Sequence, residues 1–361
     1  MSHTSGIEKF NILTQMQNVV QDYFDQECSM KTKPIITDDE TLILAKLGSG
    51  GFGSVYNYQD DKVVKIFATD TPKKVILREL KMIDENYVHE NINKTIQCIQ
   101  IERHRGIIME KGEYDLFTYA IDIKNIHGQG FESVIINSFM RDLIRGISFL
   151  HSKRIYHCDL KLENVLCYYK QKVVDKEGYL IPNLKLCDFG LSHCDDWTFT
   201  DQKYGSLEKV GGIMPIVGSK NYLPPLSIAT GDATKYLRDE WALGVILFIF
   251  AYGTFLYSDT STEQLFINML NIGFEDDKIQ EIIKLIQQMK GKIGFSQNEK
   301  NTINEVYKQN SNSFYINLLP NNITPRQDIE FFIRCLIRRK PLDINSFAHV
   351  IILKSRVSAL R

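Results

Sequence analysis

The chain has 361 residues, 43% of them apolar and 24% charged, enough to bury one large core or two medium ones. Its 43 Lys and Arg against 44 Asp and Glu leave a net charge of -1, which removes any electrostatic reason to expect nucleic acid or an anionic membrane as an obligatory partner. No apolar run approaches the ~18 residues of a membrane span, the polar start is unlike a signal peptide, and seven cysteines without a CxxC pair suit a reducing compartment, cytoplasmic or nuclear, better than a disulfide scaffold.

Residues 1–40 precede the first strand; Ile12, Leu13, Val19, Val20 and Phe24 can line one helix face for packing or for a partner, with a disordered leader as the alternative. The run Leu47-Gly48-Ser49-Gly50-Gly51-Phe52-Gly53-Ser54-Val55 then reads as strand, turn, strand. Glycine lets a backbone approach phosphates closely and take positive φ, although an ordinary hairpin turn would use the same residues. No Lys-Ser or Lys-Thr follows these glycines, so this is not a Walker A loop.

Val63-Val64-Lys65-Ile66-Phe67 is an apolar strand with one cation in its middle, and a buried cation needs a partner. Thr71-Pro72 opens a helix on which Ile76, Leu80 and Ile83 recur at helical spacing, with Glu79 beside that apolar face. The stretch from Ile107 to Phe117 is an apolar strand that turns into a polar link containing Gly112; Met109 reads there as a core side chain. Phe139, Leu143, Ile144, Ile147, Phe149 and Leu150 give a strongly apolar helix running into His151.

Next comes Ile155-Tyr156-His157-Cys158-Asp159-Leu160-Lys161-Leu162-Glu163-Asn164, where Asp, Lys and Asn stand two and three residues apart among apolar residues: a loop, not a helix face. Carboxylate and amide oxygens are hard ligands suited to Mg2+, an ammonium suits a polyanion, and a carboxylate that accepts a hydroxyl proton can orient a nucleophile. The loop therefore reads as built for a nucleotide and its metal. Cys187-Asp188-Phe189-Gly190, the run from Gly218 to Leu226, and Asp239-Glu240-Trp241-Ala242-Leu243-Gly244 at the start of an apolar helix complete the series.

The 155–164 run resembles the catalytic loop of eukaryotic protein kinases, HRDLKxxN, and Asp188-Phe189-Gly190 resembles their DFG motif. The glycine run resembles their GxGxxGxV loop, Gly218–Leu226 the end of an activation segment, and Asp239–Gly244 their DxWxxG helix. The resemblance spans roughly residues 42 to 350 and implies an α+β, bilobal fold with a mainly β N-lobe and a mainly α C-lobe. It divides the chain into an extension (1–40), a kinase domain (41–352, with N-lobe 41–109, hinge 110–115 and C-lobe 116–352) and a tail (353–361).

The same resemblance implies ATP and Mg2+ as cofactors and proteins with Ser or Thr acceptors as substrates. Leu47, Gly48, Gly50, Gly53, Val55, Met109 as gatekeeper and Leu166 would line the ATP site. The backbone of Glu110 and Gly112 would meet the adenine edge, and Asp115 would lie near the ribose or a substrate side chain. Lys65 would bind the α- and β-phosphates and pair with Glu79, with Glu85 and Glu90 as fallbacks. Asp159 would be the base, Lys161 the γ-phosphate contact that favours Ser/Thr over Tyr, and Asn164 and Asp188 the Mg2+ ligands. His157 is read as a packing residue against Phe189 and not as a general base. The competing reading is a pseudokinase acting as a nucleotide-binding scaffold, which retention of Lys65, Asp159, Lys161, Asn164 and Asp188 disfavours.

Three departures stand out. Cys158 replaces the Arg that clamps a phosphate on the activation loop, and a neutral thiol cannot pair with a dianion, so activity without activation-loop phosphorylation is expected. Leu226 replaces the Glu of APE while Ile344 falls where its Arg partner belongs, unless Arg338 or Arg339 is that partner; losing both ends of a buried ion pair is roughly neutral. Finally, the chain is lengthened from Tyr168 to Asn183, where a surface hairpin is expected, from Asp188 to Leu226, and over 254–322. A regulatory partner could engage residues 1–40 or 254–322.

Overall fold

The computed structural model describes residues 45–59, 61–101, 104–126, 129–169, 174–175, 178–194, 219–224 and 235–255. The expectations for residues 1–40, Leu226, Arg338, Arg339, Ile344 and the tail, and nearly all of those for 254–322, lie outside them.

Five strands, β1 (Lys46–Gly50), β2 (Gly53–Gln59), β3 (Lys62–Phe67), β4 (Thr95–Ile101) and β5 (His104–Glu110), form an antiparallel sheet in the order β1-β2-β3-β5-β4. The apolar run of β3 suits its central place, with Val63, Val64, Lys65 and Phe67 buried. Gly53 has φ +151°, and a Cβ there would lie 2.2 Å from the Ile66 carbonyl oxygen, so only glycine lets β2 approach β3 this closely.

Between β3 and β4 runs α1 (Lys73–Lys81), with Pro72 as the residue that precedes its first turn. Its Ile76, Leu77 and Leu80 pack with Phe67, Cys98 and Ile107 of the sheet. Each such burial contributes about 1.5–3 kcal/mol, and together they fix the face on which Glu79 stands.

The second part is mainly helical. After the two-residue β6 (Tyr114–Asp115), a short helical segment covers Leu116–Thr118 and Tyr119–Ile123, followed by α2 (Ser133–Ser152) and, further on, α3 (Lys235–Tyr252). Short strands β7 (Ile155–Tyr156), β8 (Val165–Tyr168), β9 (Asn183–Leu186) and β10 (His193–Cys194) pair as β6-β8-β9 and β7-β10. Phe139, Leu143, Ile147 and Leu150 of α2 are fully buried, and α3 is buried nearly all round from Asp239 to Tyr252. A helix that apolar must lie in the core. Tyr119, Phe131, Phe139 and Phe250 meet there with ring centroids 5.5–6.1 Å apart.

The sheet-rich first part and helical second part make up the expected α+β, bilobal architecture. The expected surface hairpin begins after β8 and closes through a Val174–Leu180 bridge. Among the described residues no helix is long and apolar enough to cross a membrane. Cys158, Cys167, Cys187 and Cys194 are free thiols.

Candidate active site

The strand cation finds the partner that its burial demands. Lys65 Nζ lies 2.6 Å from Glu79 Oε1 and 3.0 Å from Asp188 Oδ1, so β3, α1 and the Asp188 loop meet on one ammonium. Burial opposes the charge on Lys65, but the two carboxylates more than offset it and raise its pKa. One lysine cannot serve both acids equally. Burial raises the pKa of Glu79, which is 1% exposed, and its share of Lys65 does not cancel that. Burial pushes Asp188 in the same direction, yet Lys65 and the hydrogen bonds from Glu79 and Lys65 overcome it and bring its pKa down to about 2.

Phe189 N–H donates to Glu79 Oε2 at 3.4 Å, and Arg78 Nη1 donates to the Gly190 carbonyl at 3.4 Å. A Cβ on Gly190 would meet Val75 Cγ1 at 2.8 Å. The loop is therefore seated directly on α1. Asp188 holds φ +64°, an uncommon conformation for a residue with a side chain and one that tends to persist at functional sites.

Asp159, Lys161 and Asn164 also converge. Asn164 Nδ2 donates to the Asp159 carbonyl at 2.8 Å and to its Oδ2 at 3.1 Å, while Lys161 Nζ lies 3.5 Å from that oxygen. Ser219 supplies the other side: its N–H donates to Asp159 Oδ1 at 2.9 Å, and Lys161 Nζ donates to its hydroxyl at 3.1 Å. The Asn164 nitrogen is spent on Asp159, which leaves its oxygen as the end suited to a metal. With the ionised, partly exposed Asp188 it makes a hard-oxygen pair that fits Mg2+, an ion that takes one or two protein ligands and completes its shell with water and phosphate. Among the described residues no group of three or more His, Cys, Asp or Glu side chains gathers as a metal site.

His157 takes the packing place expected of it. Its ring centre is 5.2 Å from that of Phe189, its Nε2–H donates to the Cys187 carbonyl at 3.0 Å, and Asp159 N–H donates weakly to Nδ1. The 157–159 backbone is held by Asp239 of α3: Oδ2 accepts from His157 N–H at 2.9 Å and Oδ1 from Cys158 N–H at 2.8 Å, while His151 Nε2 lies 2.9 Å from Oδ2.

The remaining candidates surround this centre. Leu47 is half exposed on β1, and a Cβ on Gly48 or Gly50 would meet nothing within 4 Å, so the glycine run borders open space. Val55 stands opposite Lys65 across β2 and β3. Met109 packs on the Phe67–Ile76–Leu80 cluster at the end of β5. Gly112 rests against Leu166 of β8, where a Cβ would come within 2.9 Å of Leu166 Cβ, so the link permits no side chain at this point.

Two of these residues have further duties that the sequence did not disclose. The Asp115 carboxylate caps the following helical turn, accepting Thr118 N–H at 2.9 Å and its hydroxyl at 2.8 Å, so any ribose contact would share it. The Glu110 side chain pairs with Lys185, and its carbonyl accepts from Asn93 Nδ2 and Tyr168 Oη, each at 3.3 Å. Tyr168 Oη also donates to Asn93 Oδ1 at 2.7 Å. Glu85 and Glu90 are not at Lys65; Glu90 pairs with Arg145 on the surface.

The chain also matches known proteins. Residues 42–341 match the protein kinase domain family. Serine/threonine-protein kinase 33 of Mus musculus is 29% identical over 229 residues, 61% of this chain and 43% of its own. The smooth-muscle myosin light chain kinase of Gallus gallus is 27% identical over 277 residues, 72% of this chain and 13% of its own. Serine/threonine-protein kinase SAPK2 of Oryza sativa subsp. indica is 29% identical over 229 residues, 60% of this chain and 58% of its own. The match thus covers less than two thirds of the length of each of these curated relatives.

Proposed function

The chain belongs to the protein kinase family, and from that premise we infer that it is an active, ATP-dependent serine/threonine kinase acting on proteins. The observation that carries this reading is the meeting of Lys65 with Glu79 at 2.6 Å and Asp188 at 3.0 Å, alongside an intact Asp159–Lys161–Asn164 group. The cluster supports nucleotide and metal binding, and the intact Asp159–Lys161–Asn164 group beside it favours an enzyme over a scaffold.

The acceptor hydroxyl oxygen attacks the γ-phosphorus of ATP as the bond to the β–γ bridging oxygen breaks, and ADP leaves. Asp159 receives the hydroxyl proton, and Lys161 contacts the γ-phosphate while Lys65 holds the α- and β-phosphates. Mg2+ between Asn164 and Asp188 would supply neutralising charge to the phosphates. The protein's contribution is position and preorganised charge.

The test is an assay of phosphate transfer from Mg-ATP to generic protein and peptide acceptors, with Asp159→Ala and Asp188→Ala as controls. Transfer by the wild type and its loss in both variants is the expected result; tight Mg-ATP binding without transfer would show a scaffold instead. Activity without activation-loop phosphorylation is part of the same reading, supported by Cys158 in place of the phosphate-clamping Arg. Phosphatase-treated protein should keep its full rate, and an inert dephosphorylated enzyme would overturn that part.

A further inference from the structure

Ser219 stands where the mechanism above requires an acceptor. Its Oγ lies 3.3 Å from Asp159 Oδ1 and 3.1 Å from Lys161 Nζ, the two side chains that there handle the acceptor proton and the γ-phosphate. We propose that Ser219 is phosphorylated by the active centre of its own molecule, and that the phosphate it receives switches the enzyme off. This rests on the active-kinase reading and concerns how that same site is regulated.

The hydroxyl is directed for attack. A serine hydroxyl has one proton and two lone pairs. The proton is donated to Asp159 Oδ1 and Lys161 donates to one lone pair, which leaves the second lone pair for the γ-phosphorus. The backbone holds the residue in place. Ser219 N–H donates to the same Oδ1 at 2.9 Å, and the Ser219 carbonyl accepts Tyr222 N–H at 2.9 Å. Tyr222 and Leu223 are buried and anchor the turn Lys220–Tyr222 that follows, while Ser219 itself is only half-buried. Base and acceptor held together in one chain turn an encounter of two molecules into a first-order step.

The transfer balances as it does for any other acceptor. Ser219 Oγ bonds to the γ-phosphorus as the bond to the β–γ bridging oxygen breaks, the hydroxyl proton passes to Asp159, and ADP leaves. The product limits itself. A phosphoserine carries about −1.5 to −2 charge. At position 219 that charge would stand against the Asp159 carboxylate and draw Lys161 onto its own oxygens, so that the next acceptor loses both the base and the γ-phosphate contact. Cys158 supplies no cation to offset it.

The test follows the full chain in Mg-ATP after a phosphatase has cleared it and been removed. Phosphopeptide mass spectrometry should find phosphate on Ser219, appearing at a rate per molecule that does not vary with enzyme concentration, and Asp159→Ala should acquire none. Transfer to a peptide acceptor should fall about 10- to 100-fold as Ser219 fills and return on renewed phosphatase treatment. Ser219→Thr, which keeps the hydroxyl, should show the same decline, and Ser219→Ala should hold whatever rate it starts from. Peptide transfer with Ser219 left bare would overturn the proposal alone. So would modification that speeds up in proportion to enzyme concentration, or a chain fully phosphorylated at Ser219 that keeps its rate. A chain that binds Mg-ATP but transfers phosphate neither to peptide nor to Ser219 would overturn the active-kinase reading and this proposal with it.

Discussion

Asp239→Asn tests the idea that α3 holds the catalytic loop in shape. The Asp239 carboxylate is fully buried and accepts from His157 N–H, Cys158 N–H and the His151 side chain. An asparagine offers one oxygen and one NH2 group in the same space. Whichever way it is turned, at least one backbone N–H faces another donor. A hydrogen bond to a charged group is worth about 1.5–3 kcal/mol, and the orphaned N–H adds its desolvation cost, so the variant should lose about 2–4 kcal/mol. That is a large part of a typical stability of about 5–15 kcal/mol and corresponds to a fall of about 5–10 °C in Tm. The catalytic loss should be separate from the stability loss. Displacing Asp159 by about 1 Å should reduce kcat about 100-fold at temperatures where the variant is still folded. Urea denaturation, paired with the rate of phosphate transfer at 15 °C, measures both. A stability loss below about 1 kcal/mol together with an unchanged kcat would refute the reasoning.

Gly112→Ala puts a Cβ 2.9 Å from Leu166 Cβ and must widen the link; ATP KM should rise about 5- to 10-fold with kcat nearly unchanged, and steady-state kinetics showing the reverse split would sink the idea. Gly53→Ala meets the Ile66 carbonyl at 2.2 Å with φ at +151°; a loss of about 3 kcal/mol is expected from the denaturation midpoint, and a neutral variant would contradict the close approach of β2 and β3. The pH dependence rests on Glu79, whose pKa burial raises from 4.5 to about 7. A raised folded pKa gives stability that is present below about 4.5 and lost as pH rises through about 7, so the wild type should weaken relative to Glu79→Gln across that window. Asp188 works in the opposite sense, its contribution present above 3.8 and lost as pH falls toward about 2. Parallel stability curves for the two proteins from pH 4.5 to 8 would count against this assignment.

Local pattern made Lys65 and Glu79 legible as a strand cation that needs a partner and a carboxylate beside an apolar helix face, while their pairing, with Glu85 and Glu90 as fallbacks, was implied only by the resemblance to protein kinases. Their 14-residue separation is bridged by one turn and two turns of helix. The Asp159–Asn164 group was legible because it is compressed into one loop. Other contacts involve partners far apart in sequence or backbone groups that no letter encodes. Tyr168 and Asn93 stand 75 residues apart, and Asp239 reaches the His157 backbone across 82. Asp239 was read as the first letter of the DxWxxG resemblance at the start of an apolar helix, but its contacts were not legible, because its three partners are two N–H groups and one imidazole. Asp115 resembled a ribose contact, while its nearest demand is local: Thr118 needs a cap three residues on. The Lys124–Asp175 pair depends on how the hairpin folds over, which periodicity does not encode.

Cys158 gains a physical explanation from the same contacts. The residue has φ +63° and serves the loop through its backbone N–H, donated to Asp239 at 2.8 Å, while its side chain is buried. A left-handed conformation costs about 1–2 kcal/mol for a residue with a side chain, and a charge-assisted hydrogen bond of about 1.5–3 kcal/mol offsets it. The bond to Asp239 runs through the main chain and requires no particular side chain at 158. On the other face, Ser219 is tied to Asp159 and Lys161 by uncharged groups of its own. Loop and segment end are thus joined by contacts that contain no phosphate. An Arg at position 158 would add a clamp for a phosphorylated segment, but the geometry at Asp159 does not depend on one. On the proposed reading, Cys158 therefore bears on regulation, because the contacts described at Asp159 run through Ser219, Lys161 and Asn164 and not through the side chain at 158.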